Sequence, residues 1–231
     1  LLNGMSDSGS GWGYNDAGEW GEYATYEYDL DDAGNATITK YHGNTRALII
    51  PDELDGHKVI GIGSDAFKSN AYLMTVQIPD ALASIGSNAF EECDSLTALS
   101  LPASLKEIGV AAFWGCDSLA SVWVPKSLES CGAGWNSDYS GGPFAGCPKL
   151  STFTLESGAT RVPSNLMANC DAVTSFEIPA TVTEIGAGAF SACDGLTSVK
   201  IPEGVKRIGN HAFDSCTKLS QIVFPNSLTS M

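Results

Sequence analysis

Apolar and polar positions along this chain recur with a period of 23 residues. Phe67, Phe90 and Phe113 are 23 apart, Phe144 follows after 31, and Met167, Phe190 and Phe213 resume the spacing. Cys93, Cys116, Cys147, Cys170, Cys193 and Cys216 keep the same register, including the one long interval. So do Leu73, Leu96, Leu119, Leu150, Val173, Leu196 and Leu219. Apolar-proline pairs mark the same units: Ile78-Pro79, Leu101-Pro102, Val124-Pro125, Ile178-Pro179, Ile201-Pro202 and Phe224-Pro225, with Leu155-Glu156 replacing the pair in the fifth unit. Several columns that share one eight-residue insertion are not coincidence. Self-similarity at this period is the signature of a solenoid.

Within a unit the pattern predicts three short elements. Residues 196–202 alternate apolar and polar, the period of a half-buried strand. Proline ends that strand because it has no N–H to give to a ladder. Residues 182–186 form a second extended piece closed by a glycine. Residues 187–193 are too short for an ordinary helix and read as one helical turn, which brings Ala189, Phe190 and Cys193 to one side.

Such a unit cannot stand alone. Its few large apolar side chains contribute roughly 1.5–3 kcal/mol each when buried, whereas ordering each residue's backbone costs roughly 1–2 kcal/mol. Stacking shares strand hydrogen bonds and buries both flat faces of a coil. With parallel neighbours about 4.8 Å apart, about seven coils give a rod roughly 34 Å long.

The apolar-proline pair, the "IG", the "AF", the cysteine and the "LTSV" of each unit resemble the BspA-type leucine-rich repeat. The resemblance covers about residues 50 to 228 and recurs in seven units. It implies a repeat solenoid, a leucine-rich repeat with parallel strands, on bacterial proteins that are exported to the cell surface or secreted. Some units depart from the pattern. Cys131 stands for the isoleucine of "IG", Asn70 stands for the first cysteine, and the fifth unit lacks proline, "IG" and "AF".

The ends differ from the repeats. Residues 1–23 are rich in glycine, serine and acids without periodicity, and are expected to be a poorly ordered leader. Residues 24–49 contain two alternating runs joined by a turn sequence, a hairpin placed to cap the apolar end of the solenoid, which then runs over 50–231. Insertions fall near 55–59 and at 133–140. The last unit stops after Phe224-Pro225 and before any "AF" turn, which fits either a partial final coil or a longer natural chain.

The net charge of −15 changes the functional picture. Eight acids and no base precede Lys40, and no basic cluster occurs anywhere. That balance argues against nucleic acid and against anionic membrane surfaces. No run approaches the roughly 20 apolar residues of a membrane span, no signal peptide is visible, and the chain does not begin with methionine.

Catalytic and metal chemistry find little support. The cysteines show no C-x-x-C pair of the kind metal sites use, and the ladder of six is expected to supply small buried core residues. Cys131, beside the insertion, is the expected accessible thiol. A thiol nucleophile needs a base in reach, yet His42, His57 and His211 share no unit with Cys131 and read as surface residues. Residues 29–40 faintly match a calcium loop through Asp29, Asp31 and Gly34, but Ala33 and Lys40 occupy ligand positions. Asn35-Ala36-Thr37 matches a glycosylation acceptor, a pattern without consequence in a bacterial source. The reading is therefore not an enzyme, with no cofactor and no metal.

Strand alternation exposes specific columns. Val76/Ile78, Leu99/Leu101, Val122/Val124, Phe153/Leu155, Phe176/Ile178, Val199/Ile201 and Ile222/Phe224 are expected to point inward. Between them Gln77, Ser100, Trp123, Thr154, Glu177, Lys200 and Val223 face out, beside Thr75, Ala98, Ser121, Thr152, Ser175, Ser198 and Gln221. Glu177 and Lys200 are an opposite-charge neighbour pair. Trp123 is the leading ligand candidate, since aromatic anchors concentrate binding energy. The alternative is that the 133–140 insertion folds over it. Trp135 and Tyr139, in that insertion, are further candidates, and Trp114 belongs to the turn side. The expected function is a cell-surface or secreted binding module that adheres to or recognises an extracellular protein or glycan. Carbohydrate binding around Trp123, Trp135 and Tyr139 and a purely structural spacer are the alternatives.

Overall fold

In a computed structural model, the chain forms a parallel β-solenoid of about eight turns, with no helix among the described residues. The structure describes residues 3–6, 11–14, 20–23, 26–135 and 140–231, with side chains from 26 to 134 and from 141 to 231. A front sheet stacks Ala47–Ile49, Thr75–Gln77, Ala98–Ser100, Ser121–Val124 and Thr152–Leu155 in parallel. It is interrupted at the sixth rung, where only Ser175 bridges to Ser198. Ser198–Lys200 and Gln221–Val223 then pair separately.

A flank sheet stacks the short second strands. His57–Ile62, Ser84–Ile85, Glu107–Ile108 and Ser130–Cys131 form one ladder, and Arg161–Val162, Glu184–Ile185 and Arg207–Ile208 form another. The ladders part at the insertion. Ser130 bridges to Ser164 instead of Arg161, so the register slides by three residues where the extra chain leaves the coil.

The glycine that ends most of the second strands is required by this stacking. A Cβ on Gly109 would lie 2.4 Å from the Ser87 nitrogen of the preceding coil, and one on Gly186 would lie 2.4 Å from the Ser164 nitrogen. Only glycine lets the backbones approach so closely.

The expected helical turn around each phenylalanine is not one. In most of these turns the residues two before and two after the phenylalanine have positive φ, as at Asp65 and Ser69 (59° and 57°) and at Asn88 and Glu92 (both 56°). Alternating handedness points every second N–H along the solenoid axis. Thus Asn88, Phe90 and Glu92 donate to the carbonyls of Val110, Ala112 and Trp114 in the next coil. A helix would spend those donors within its own turn.

The phenylalanines stack as parallel rings, with centroids 4.7 Å apart for Phe67 and Phe90 and 5.1 Å for Phe90 and Phe113. The column continues upward into the N-terminal hairpin, Tyr26–Leu30 antiparallel to Ala36–Tyr41. The second hairpin strand joins the flank sheet in parallel, with Ile38 opposite Ile62. Tyr41 takes the phenylalanine position: it donates its N–H to the Ala66 carbonyl and packs 5.1 Å from Phe67. Asn3–Ser6 adds to the outer side of this hairpin, and Gly11–Tyr14 pairs with Trp20–Tyr23.

The insertion after Leu54 holds this end in place. The Tyr28 hydroxyl donates to the Asp55 carboxylate at 2.9 Å, and the His57 Nδ1 lies 2.8 Å from the Gly34 carbonyl oxygen. His57 is thus half-buried in a structural contact. In the fifth unit Glu156 compensates for the missing proline. Its N–H donates to the Val124 carbonyl, and its carboxylate accepts from the Lys126 backbone and lies 2.9 Å from the Lys126 Nζ.

Candidate functional site

The thiol ladder is structural. Each sulfur donates to the carbonyl of the phenylalanine-position residue one coil earlier: Cys93 to Phe67, Cys116 to Phe90, Cys147 to Phe113, Cys170 to Phe144, Cys193 to Met167 and Cys216 to Phe190, over 2.9–3.6 Å. All seven cysteines are free thiols. Asn70 stands at the cysteine position of the first coil, where its Nδ2 donates to the carbonyl of Gly43, two residues past Tyr41, at 3.1 Å. Burial pushes the Cys93 and Cys193 thiols up to about 12 and raises that of Cys216. These groups are far from the thiolate state that nucleophilic chemistry needs.

Cys131 corrects an expectation. It is buried, 4% exposed, because it fills the inward isoleucine position opposite Ile108, and the insertion begins after that position is filled. Burial raises its thiol as well. The partly accessible thiol is Cys216, in the last complete turn. His42 pairs with Glu27 at 2.7 Å, and His211 is exposed. Among the described residues no group of three His, Cys, Asp or Glu could hold a metal. No helix there is long and apolar enough to cross a membrane.

The outward column forms in two parts. Parallel register places Ser100, Trp123 and Thr154 side by side, with Ala98, Ser121 and Thr152 as the neighbouring column. Gln77 opens the same face, opposite Ile49. Gln77, Ser100 and Thr154 are exposed, and Trp123 is half-buried among them. Glu177, Lys200 and Val223 are exposed too, but lie beyond the break in the front sheet. Glu177 and Lys200 form no ion pair among the described residues.

Most of the inward set is buried as its alternation requires. Leu155, Phe176 and Ile222 are half-buried. Phe224 departs outright: it is 45% exposed, and among the described residues no further rung covers its side of that coil. Clefts of about 530 and 570 Å³ lie against that uncovered coil.

The insertion leaves the coil between the second strand and the phenylalanine turn. Gly134–Trp135 pairs antiparallel with Ser140–Gly141, and its return packs at Ala168 and Asn169. The Trp135 side chain and the whole of Tyr139 lie outside the described residues. Trp114 sits on the phenylalanine turn beside Gly146, away from the front strand.

Sequence reasoning missed two features. One was the left-handed turn, whose signal is the Asp65, Asn88, Asn165 and Gly188 column of turn-forming residues. The other was the thiol-to-carbonyl ladder, for which periodic cysteine was the only sign.

Six copies of the BspA type leucine rich repeat region match residues 41–138 and 140–231. No curated protein matches the sequence. Among solved structures, the leucine rich repeat protein of T. pallidum is 28% identical, with a TM-score of 0.58 over 87% of this chain and 81% of that one. A leucine-rich repeat protein from Bacteroides ovatus is 26% identical, with a TM-score of 0.59 over 87% of this chain and 52% of that one. A leucine rich cell surface protein from Faecalibacterium prausnitzii is 26% identical, with a TM-score of 0.44 over 88% of this chain and 76% of that one.

Proposed function

The chain belongs to the BspA-type leucine-rich repeat family, and on that premise we propose that it is a non-enzymatic binding module at a bacterial cell surface. Its ligand, an extracellular protein or glycan, lies along the front column Gln77, Ser100, Trp123 and Thr154. The observation that carries this reading is Trp123. Its neighbours in register are Ser100 and Thr154, so an indole stands half-buried among hydroxyls on an otherwise small-residue face. Aromatic side chains in such settings concentrate binding energy.

The same observation favours glycans as the ligand class. A sugar ring stacks on an indole face while flanking hydroxyls take its hydroxyl groups. Glu177 and Lys200 would meet a longer ligand beyond the sheet break, and Trp135 and Tyr139 belong to this candidate set through their insertion.

The test is a binding screen of the purified chain against immobilised matrix proteins and glycans, run beside Trp123→Ser. A hit that the variant loses at unchanged melting temperature supports the front column and names the ligand class. A hit that the variant retains moves recognition elsewhere. No hit favours the spacer reading.

A further inference from the structure

The large apolar side chains that are exposed gather at the ends of the solenoid. Val223, Phe224 and Met231 lie at the last rung, and Ile49, Tyr72 and Met74 lie on the first two. Ile49, Tyr72 and Met74 are 41–68% exposed, and Ile49 is the most exposed of the three. Contiguous exposed apolar surface marks interaction sites.

At that first rung the front sheet has an open edge. The flank sheet is covered by the N-terminal hairpin and Asn3–Ser6, whereas the front sheet ends at Ala47–Ile49. Among the described residues no strand lies on its outer side. The Arg46 carbonyl accepts from Met74 and Thr75, and the Ile50 N–H donates to Gln77, so residues 46 and 50 turn toward the second rung. Strand alternation then turns the N–H and C=O groups of Ala47 and Ile49 outward. Open edges of this kind pair with other chains. Arg46, one residue before the strand, is exposed and forms no ion pair among the described residues.

We propose that Ala47–Ile49 is a docking edge at which an extended segment of a partner polypeptide adds as a further strand of the front sheet. Main-chain bonds to Ala47 and Ile49 supply the register, as in other strand additions. Ile49 and Met74 receive apolar side chains of the segment, and Arg46 receives a carboxylate. Ile49 stands one rung beyond Gln77 in the same outward column, but the main-chain edge does not rest on the Trp123 reading.

The test pans a displayed library of ten-residue peptides on the purified chain. Ile49→Pro deletes an N–H that no described strand uses, at an edge where proline is tolerated. Ile49→Lys is the second variant, in case the first fails to fold. The expected result is an enriched set with alternating apolar residues and an acidic one. It binds at least tenfold more weakly to both variants and to Arg46→Glu, and equally well to Trp123→Ser. N-methylation of alternate peptide nitrogens abolishes binding, and bound peptide slows amide exchange at Ala47 and Ile49. No enrichment, equal binding to the Ile49 variants, or loss on Trp123→Ser overturns the proposal.

Discussion

The Cys116 thiol donates to the Phe90 carbonyl at 3.2 Å, across 26 residues of sequence and one coil of stacking. The same carbonyl accepts the Cys93 N–H within its own turn, so both of its lone pairs are used in a fully buried site. Cysteine is the small side chain that both fits and donates there. Cys116→Ala loses the donor and opens a small cavity, at an expected cost of about 1–3 kcal/mol. In a chain of this size that lowers Tm by about 2–4 °C per kcal/mol. Thermal melts followed by circular dichroism decide it. An unchanged Tm would show the thiols to be filler.

The raised thiols set an alkaline limit. In the unfolded chain they lose their protons near 9.0, whereas folded Cys93 and Cys193 hold theirs up to about 12. Between those values the folded state binds more protons, so stability is fully present below about pH 9 and falls as pH rises. Burial also raises Tyr26, which adds to the loss above its own ordinary 10.0. Urea titrations from pH 7 to 11 should show a plateau and then a decline. The decline should shrink in Cys93→Ala/Cys193→Ala.

Gly109→Ala should destabilise more than its size suggests. The added methyl would meet the backbone of Ser87 and Gly86, which has no rotamer by which to yield. Overpacking of this kind costs about 1–3 kcal/mol. A lowered urea midpoint with unchanged slope is the expected readout, and an unchanged midpoint would mean that the coils can separate locally at low cost.

The contacts Tyr28–Asp55 and His57–Gly34 tie the hairpin to the first coil. Tyr28→Phe combined with His57→Ala should speed amide exchange across 26–41 at least tenfold, while exchange in the middle coils stays unchanged. Equal protection in the double variant would place hairpin stability in the Tyr26–Tyr41–Phe67 ring contacts alone.

The sequence by itself determined the period, the register of every column and the side of the strand on which most residues fall. These follow from alternation and spacing within one unit, which are local. Tertiary structure decided what depends on the neighbouring coil. The turn around Phe90 is left-handed at Asn88 and Glu92 because its N–H groups bond to the next coil, a partner 22 residues away that no local pattern names. Cys131 is buried because it completes the Ile108 column, although the insertion follows it directly in sequence. Phe224 obeys its alternation and is still exposed, because burial needs a coil on both sides. The front column is broken at Ser175, so of two residues that look equivalent in sequence, Thr154 lies in the five-stranded sheet and Glu177 lies in no strand. Period is a property of the chain, whereas stacking offset and end effects belong to the assembled solenoid.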